Sequence, residues 1–136
     1  MTPFEMAKLH LLSGSLTRPW SESEYKILLS TDTIRFFYVE NGFLVGRLIG
    51  PDAEILNVIV HPKYRRLGKA RYLIDKFEKE AKEEGSSKCF LEVAESNSQA
   101  NKLYQSLNYL SVGKRKNYYE FVDGRKDNAS ILAKEI

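Results

Sequence analysis

The chain has 136 residues, of which 43% are hydrophobic and 29% charged, with a formal net charge of +3. That length and balance suit one soluble α/β (α+β) domain spanning residues 1–136, with enough apolar material to form a core without staples. The mild positive charge is compatible with a small polyanionic ligand and is modest for a dedicated nucleic-acid binder, while a single cysteine, Cys89, excludes an internal disulfide and suits a reducing compartment.

The start, MTPFEMAKLHLL, carries an acid and lacks a basic region before an apolar block, so it does not read as a signal peptide. No apolar run approaches the length of a membrane span, and a cytoplasmic protein is expected. Residues 3–12 and 22–30 read as helices, the second opened by a Ser21-x-x-Glu24 capping box after Pro19-Trp20. IRFFYVE (34–40) and FLVGRLI (43–49) flank Asn41-Gly42, a hairpin signal. EILNVIV (54–60) is a third strand, and its nearly continuous apolar character argues burial on both faces.

After His61-Pro62 comes RRLGKARYLIDKFEKEAKEEG, where Leu67, Ala70, Ile74 and Phe77 have helical spacing and Gly85 is the stop. KCFLEV (88–93) is a strand and 97–107 a second crossover helix; two strands near 109–121 and 129–134 follow, separated by Asp123-Gly124. The order predicts one mixed, mostly antiparallel sheet flanked by about four helices.

Two stretches carry chemistry. The first is RRLGKAR, where a buried strand passes into a long helix. A helix N-terminus presents unpaired N–H groups and the positive end of its dipole. Gly68 and the small Ala70 let a ligand approach the backbone, and Arg65, Arg66, Lys69 and Arg71 add charge. Together they make a pyrophosphate cradle, or simply a basic helix start with a helpful glycine. Neither the Walker A spacing nor G-x-G-x-x-G is present.

The second stretch is LEVAESNSQANKLYQSLNY, from Leu91 to Tyr109. Glu92 stands near the end of a strand, Ser96-x-x-Gln99 reads as a capping box, and Ala100, Leu103 and Leu107 form the apolar face of the helix. Tyr104 lies seven residues beyond Asn97, on the same side of that helix. Taken singly, Glu92 reads as a surface carboxylate, Tyr104 as a half-buried core tyrosine and Asn97 as a cap. Cys89 reads as a small core residue without a histidine partner, and His10 and His61 are too few and too isolated for a metal site.

Arg65-x-x-Gly68-x-Ala70 after a buried strand resembles the R/Q-x-x-G-x-G/A loop of the GCN5-related N-acetyltransferases, and the element order is theirs as well. PWSESEY, LNVIVHPKYRRLGKAR, LEVAESNSQANKLYQSLNY and KRKNYY…DGRKDNASIL resemble the RimI-type branch, which acetylates the N-terminal alanine of a ribosomal protein. The resemblance implies acetyl-CoA as co-substrate and no metal. Val58, Ile59 and Val60 would pair with the pantetheine arm, Arg65, Arg66, Leu67, Gly68, Lys69, Ala70 and Arg71 would hold the pyrophosphate, and Asn97 would contact the cofactor. Glu92 would accept the amine proton and Tyr104, also at the cofactor, would protonate the departing sulfur. Trp20, Tyr118 and Tyr119 are candidates for the acceptor groove, or pack the domain.

The implied partner is a protein or peptide N-terminus, met by a monomer or weak dimer without nucleic acid or membrane. Relatives mostly have a strand before the first helix, so that edge strand is expected to be missing here. Ala94 stands where those relatives carry arginine, and Asn108-Tyr109 where they carry Gly-Phe. The alternatives are a small-molecule or lysine acceptor, and a non-catalytic acyl-CoA-binding module.

Overall fold

The computed structural model describes residues 1–136. In chain order the elements are α1 (Pro3–Leu12), α2 (Glu22–Leu29), β1 (Ile34–Val39), β2 (Gly42–Ile49), β3 (Asp52–Val60), a 3-10 turn (Pro62–Tyr64), α3 (Lys69–Glu83), β4 (Lys88–Ala94), α4 (Ser98–Ser106), β5 (Leu110–Glu120) and β6 (Lys126–Glu135). The first element is α1, which starts at Pro3. No helix is long and apolar enough to cross a membrane.

One six-stranded sheet runs in the order β1-β2-β3-β4-β6-β5. Only β3 and β4 are parallel, and the connection between them is α3. Alternation along β2 sends side chains to opposite faces: Leu44 joins the core under α3 and α4, whereas Phe43 and Val45 join the core under α1 and α2. Leu73, Ile74, Phe77 and Ala81 are the buried face of α3, and Met6, Leu9 and Tyr25 cover the other side of the sheet.

Local chemistry explains most element boundaries. Thr2 caps α1 with Pro3 in its first turn, and Ser21 and Glu24 form the expected reciprocal box at α2. At the end of α3, Gly85 adopts φ +100° while Ser86 N–H bonds Ala81 O and Gly85 N–H bonds Lys82 O. That double bond is a Schellman stop. Asn108 takes the left-handed conformation at φ +72°, so it does what a glycine would do there.

Three local readings of the sequence are corrected. The first hairpin turns on Glu40-Asn41, with Asn41 at φ +64° and Gly42 already paired with Val39 in the ladder. Leu67 is exposed and precedes α3, because left-handed Gly68 breaks the helical phase before Lys69. Asn97, not Ser96, caps α4: its side chain accepts from Ala100 N–H, while Ser96 N–H and hydroxyl both donate to Asp127.

Gly46 sits where α3 presses on β2, and a Cβ there would collide with the edge of the ring of the fully buried Phe77. Gly46→Ala is therefore expected to lower unfolding stability by about 1–3 kcal/mol through overpacking. Urea denaturation checks this as a lower midpoint with an unchanged slope; an unchanged midpoint would mean that α3 can lift off the sheet at no cost.

Candidate active site

The site begins as a failure of strand pairing. β3 and β4 are paired only from Asp52↔Lys88 to Ile55↔Leu91, although both strands continue to Val60 and Ala94. On its other edge β3 carries a bulge: Val45 faces Asn57 and Gly46 faces Ile55, which leaves Leu56 as the extra residue. A bulge bends and twists its strand. Beyond it the β3 edge that faces β4 has no strand partner, and the two strands become walls of an open cleft of about 990 Å³. Leu56 to Val60, Leu91 to Ala94 and the first turn of α4 line it, and the α1–α2 connection and the end of β5 close its far side.

The unpaired edge runs past Val58, Ile59 and Val60, and apart from Val60 O, which accepts from Arg65, the backbone groups that face it are free to pair with an extended ligand. At the end of β3 the chain runs into the N-terminus of α3. Gly68 occupies the cap position at φ +77° with no side-chain cap, and nothing lies within 4 Å of where its Cβ would be. The first bond into the helix is Tyr72 N–H to Gly68 O, so the N–H groups of Lys69, Ala70 and Arg71 have no partner inside the helix. Open space over a left-handed glycine and an uncapped helix start fits an anion held by backbone donors.

The cations around this cradle are less free than their sequence suggests. Arg65 donates to Val60 O at 3.2 Å and Ser13 O at 2.7 Å, tying the loop to the end of α1. Lys69 donates to Glu40 O, and Arg71 to the Ser106 hydroxyl. Only Arg66, at φ +63°, keeps its side chain unengaged. Arg65 lines the cleft, whereas Arg66 through Arg71 lie beyond its lining, where β3 runs out.

Glu92, Asn97, Tyr104, Trp20, Tyr118 and Tyr119 all line the one cleft. Glu92 follows the alternation of β4: Cys89, Leu91 and Val93 enter the core, so Glu92 faces the other way. Its carboxylate meets Arg115 at 3.0 Å, and the Arg115 guanidinium lies 5.2 Å from the centre of the Tyr118 ring. That ion pair joins β4 to β5 across β6, a link that nothing in the separate sequence blocks announces.

Tyr104 is 8% exposed. Burial, chiefly, pushes its phenol well above the ordinary tyrosine range. Its hydroxyl makes no hydrogen bond within the protein, yet the only sealed, unpaired side-chain polar atom in the chain is Arg47 Nε. The Tyr104 hydroxyl therefore opens onto the cleft. Tyr119 is also pushed up, first by burial and then by the charge of Glu92. Asn97 spends its side-chain oxygen on the α4 cap at the rim.

Cys89 is fully buried, and burial pushes its thiol up to about 12, so it has no thiolate to offer at neutral pH. His10, for which the sequence suggested no role, also lines the cleft. A signal for it existed: Met6, Leu9 and His10 share one helical face, so His10 stands at a core position. No three His, Cys, Asp or Glu side chains converge on a common point.

The acetyltransferase (GNAT) family model matches residues 7–109. The chain belongs to the GNAT family. Its relatives include the [ribosomal protein bS18]-alanine N-acetyltransferase of Escherichia coli (strain K12), 32% identical over 134 residues that cover 96% of this chain and 90% of that protein. The protein of the same name from Haemophilus influenzae is 32% identical over 119 residues, 85% of this chain and 81% of that one. The crystal structure of the Escherichia coli ribosomal-protein-S18-alanine N-acetyltransferase superposes with a TM-score of 0.83 at 28% identity, covering 96% of this chain and 84% of that chain. Ard1 from Thermoplasma volcanium shares the fold, with a TM-score of 0.82 at 23% identity over 100% of this chain and 94% of that one. The mixed sheet with four helices expected from the sequence is thus the GNAT fold.

Proposed function

We propose that this chain transfers an acetyl group from acetyl-CoA to the N-terminal α-amine of a protein, and that its acceptor is the N-terminal alanine of a ribosomal protein. The observation that carries the reading is one cleft with an unpaired strand edge and an uncapped helix start at one end, and with Glu92 and an unpartnered Tyr104 hydroxyl in its walls. The acceptor class rests on the relatives of that name, which align along nearly the whole chain. Ribosomal proteins are made in the cytoplasm, and we place the enzyme there.

The bound thioester supplies an acetyl carbon open to attack; the chain supplies the rest. The free backbone edge of β3 orients the arm and donates toward the developing negative charge on the carbonyl oxygen. The unpaired N–H groups at Gly68–Arg71 and the free Arg66 hold the pyrophosphate. Glu92 takes up the proton that the amine must lose, directly or through a water. Tyr104, kept neutral by burial, gives a proton to the sulfur as the C–N bond forms and the C–S bond breaks. No nucleophile adjoins the thioester position, so the amine attacks directly, with both substrates bound together.

The acceptor preference has a physical basis. An α-amine has a pKa of ~8 against ~10.4 for lysine, so an α-amine is far easier to deprotonate near neutrality. kcat/KM for an alanine-terminated peptide is expected to rise with pH and level off near ~8, the α-amine value. A profile still climbing toward ~10 would assign the activity to lysine. The deciding experiment follows free thiol released from acetyl-CoA with an alanine-terminated peptide, against the same peptide with a blocked terminus and an internal lysine. Release only with the free terminus supports the reading. Release only with the lysine peptide overturns the acceptor, and tight acetyl-CoA binding without release from either peptide overturns the transfer itself.

A further inference from the structure

We infer that His10 binds the acceptor: its Nε2–H donates a hydrogen bond to a backbone carbonyl near the N-terminus of the acceptor peptide. The inference rests on the acetyl-transfer reading above. His10 is 3% exposed, on the face of α1 that packs against α2 and the sheet. Its Nδ1 lies 3.0 Å from Trp20 N and 2.7 Å from the Tyr25 hydroxyl. A backbone N–H can only donate, so Nδ1 presents a lone pair, and the ring proton of the neutral imidazole is on Nε2.

Charging the ring would put a second proton on Nδ1, facing the Trp20 N–H. Burial also lowers the pKa of His10, opposed by Glu24 and aided by Arg18. The imidazole is therefore a neutral group with a fixed tautomer. Trp20 and Tyr25 hold it edge-on, with ring centroids 5.7 Å and 6.0 Å away.

Nε2–H is the end of this arrangement that has no partner. It makes no hydrogen bond within the protein, and it is not sealed, because Arg47 Nε is the only fully buried side-chain atom left unpaired. The little surface that His10 keeps belongs to the cleft it lines. A buried donor is rarely left unmet, so this one calls for an acceptor atom from a ligand. Position says which ligand. His10 stands on the α1–α2 side beside Trp20, whereas the uncapped helix start that fits the pyrophosphate follows the end of β3.

A neutral donor suits a neutral carbonyl and does not repel an incoming ammonium. The same tautomer excludes His10 as the base for that amine, since Nε2 already carries its proton and the Nδ1 lone pair is taken. This separates its task from that of Glu92.

Two variants dissect the role. Asn at this position puts its side-chain oxygen where Nδ1 was, so His10→Asn keeps the acceptor for Trp20 N–H and removes the donor into the cleft. Gln puts its amide nitrogen near the Nε2 position, so His10→Gln keeps the donor. We expect His10→Asn to raise the KM for an alanine-terminated peptide about tenfold, the size of one lost hydrogen bond. The KM for acetyl-CoA and the melting temperature should not move, and His10→Gln should recover most of the peptide affinity. Peptides bearing a thioamide at the first or second carbonyl, a weaker acceptor, then identify the contact. Wild type should lose affinity at one of the two positions, and His10→Asn should lose none further there.

An unchanged peptide KM in His10→Asn, or identical thioamide losses in both proteins, overturns the assignment and leaves the acetyl-transfer reading intact. Failure of the wild-type protein to acetylate any free-terminus peptide overturns that reading, and this inference with it. If His10→Asn does not fold, nitrogen NMR of the wild-type histidine decides. A protonated Nε2 whose N–H resonance moves downfield when peptide joins the CoA complex supports the contact, and a resonance that stays in place overturns it.

Discussion

Replacing Glu92 by Gln lowers kcat for an alanine-terminated peptide about 100-fold at neutral pH, while the KM for acetyl-CoA stays at its wild-type value. Gln keeps the shape of the side chain and an oxygen toward Arg115, which now meets the carboxylate at 3.0 Å, so the strand and its ladder to β6 are undisturbed. What is lost is the proton acceptor. About tenfold of the loss is the ammonium that must be deprotonated before attack, since about one tenth of an α-amine of pKa ~8 is already neutral at pH 7, and the rest is the N–H proton released as the C–N bond forms. The deficit therefore shrinks as pH rises past the amine pKa, where only the N–H proton released on C–N bond formation still needs an acceptor. Initial rates of both proteins across that range check this. Normal turnover in the variant would remove Glu92 from the mechanism, and a deficit constant with pH would make it a carboxylate that positions the amine rather than one that takes its proton.

The sequence disclosed the elements of this fold because local signals agreed with the tertiary outcome. The Ser21 box opens α2, Gly85 stops α3, and the apolar run of β3 is buried at Ile55, Ile59 and Val60. Where a local signal had a tertiary competitor, the prediction slipped. Ser96 and Asn97 are both good caps, and Asp127, 31 positions away, took the N–H and hydroxyl of Ser96 and left the helix to Asn97. The hairpin slipped by one residue because either Asn41 or Gly42 could supply the positive φ, and Gly42 is instead held in the ladder against Ile59 O.

The site was legible as residue types and opaque as geometry. The bulge at Leu56 creates the cleft, yet EILNVIV is apolar on both faces, so a slip in its two-residue alternation leaves no mark in the sequence. The basic loop suggested an anion, but it overstated the free cations: Arg65, Lys69 and Arg71 hold the protein's own oxygens, and the backbone at Gly68 is what stays open. The Glu92–Arg115 pair and the tautomer of His10 depend on partners from other elements, which spacing along one segment cannot show.

Tyr104→Phe completes the assignment, because it separates the proton donor from the proton acceptor. We expect kcat to fall about 10- to 100-fold, the lower end of what a positioned general acid contributes, with the KM of both substrates little changed. The sulfur to be protonated belongs to a thiol with a pKa near ~8.5, against ~10 for an ordinary phenol, so proton transfer is uphill even before burial raises the phenol further. Tyr104 can thus pass its proton only through a hydrogen bond that tightens as charge develops on sulfur, and its hydroxyl is free for that bond. The same freedom makes the substitution clean. Removing a hydroxyl that bonds no protein atom leaves no orphaned partner, and the ring keeps its edge-on contact with Tyr109 at 5.6 Å, so the melting temperature should hold. Burial keeps the phenol neutral throughout the working range, and phenylalanine does not titrate. The Tyr104 deficit is therefore the same at pH ~6 and pH ~9, in contrast to the shrinking deficit of Glu92→Gln. A Tyr104→Phe deficit that closes with rising pH would assign the proton to another group, with Tyr119, which is also held neutral and lines the cleft as Glu92 does, as the next to replace.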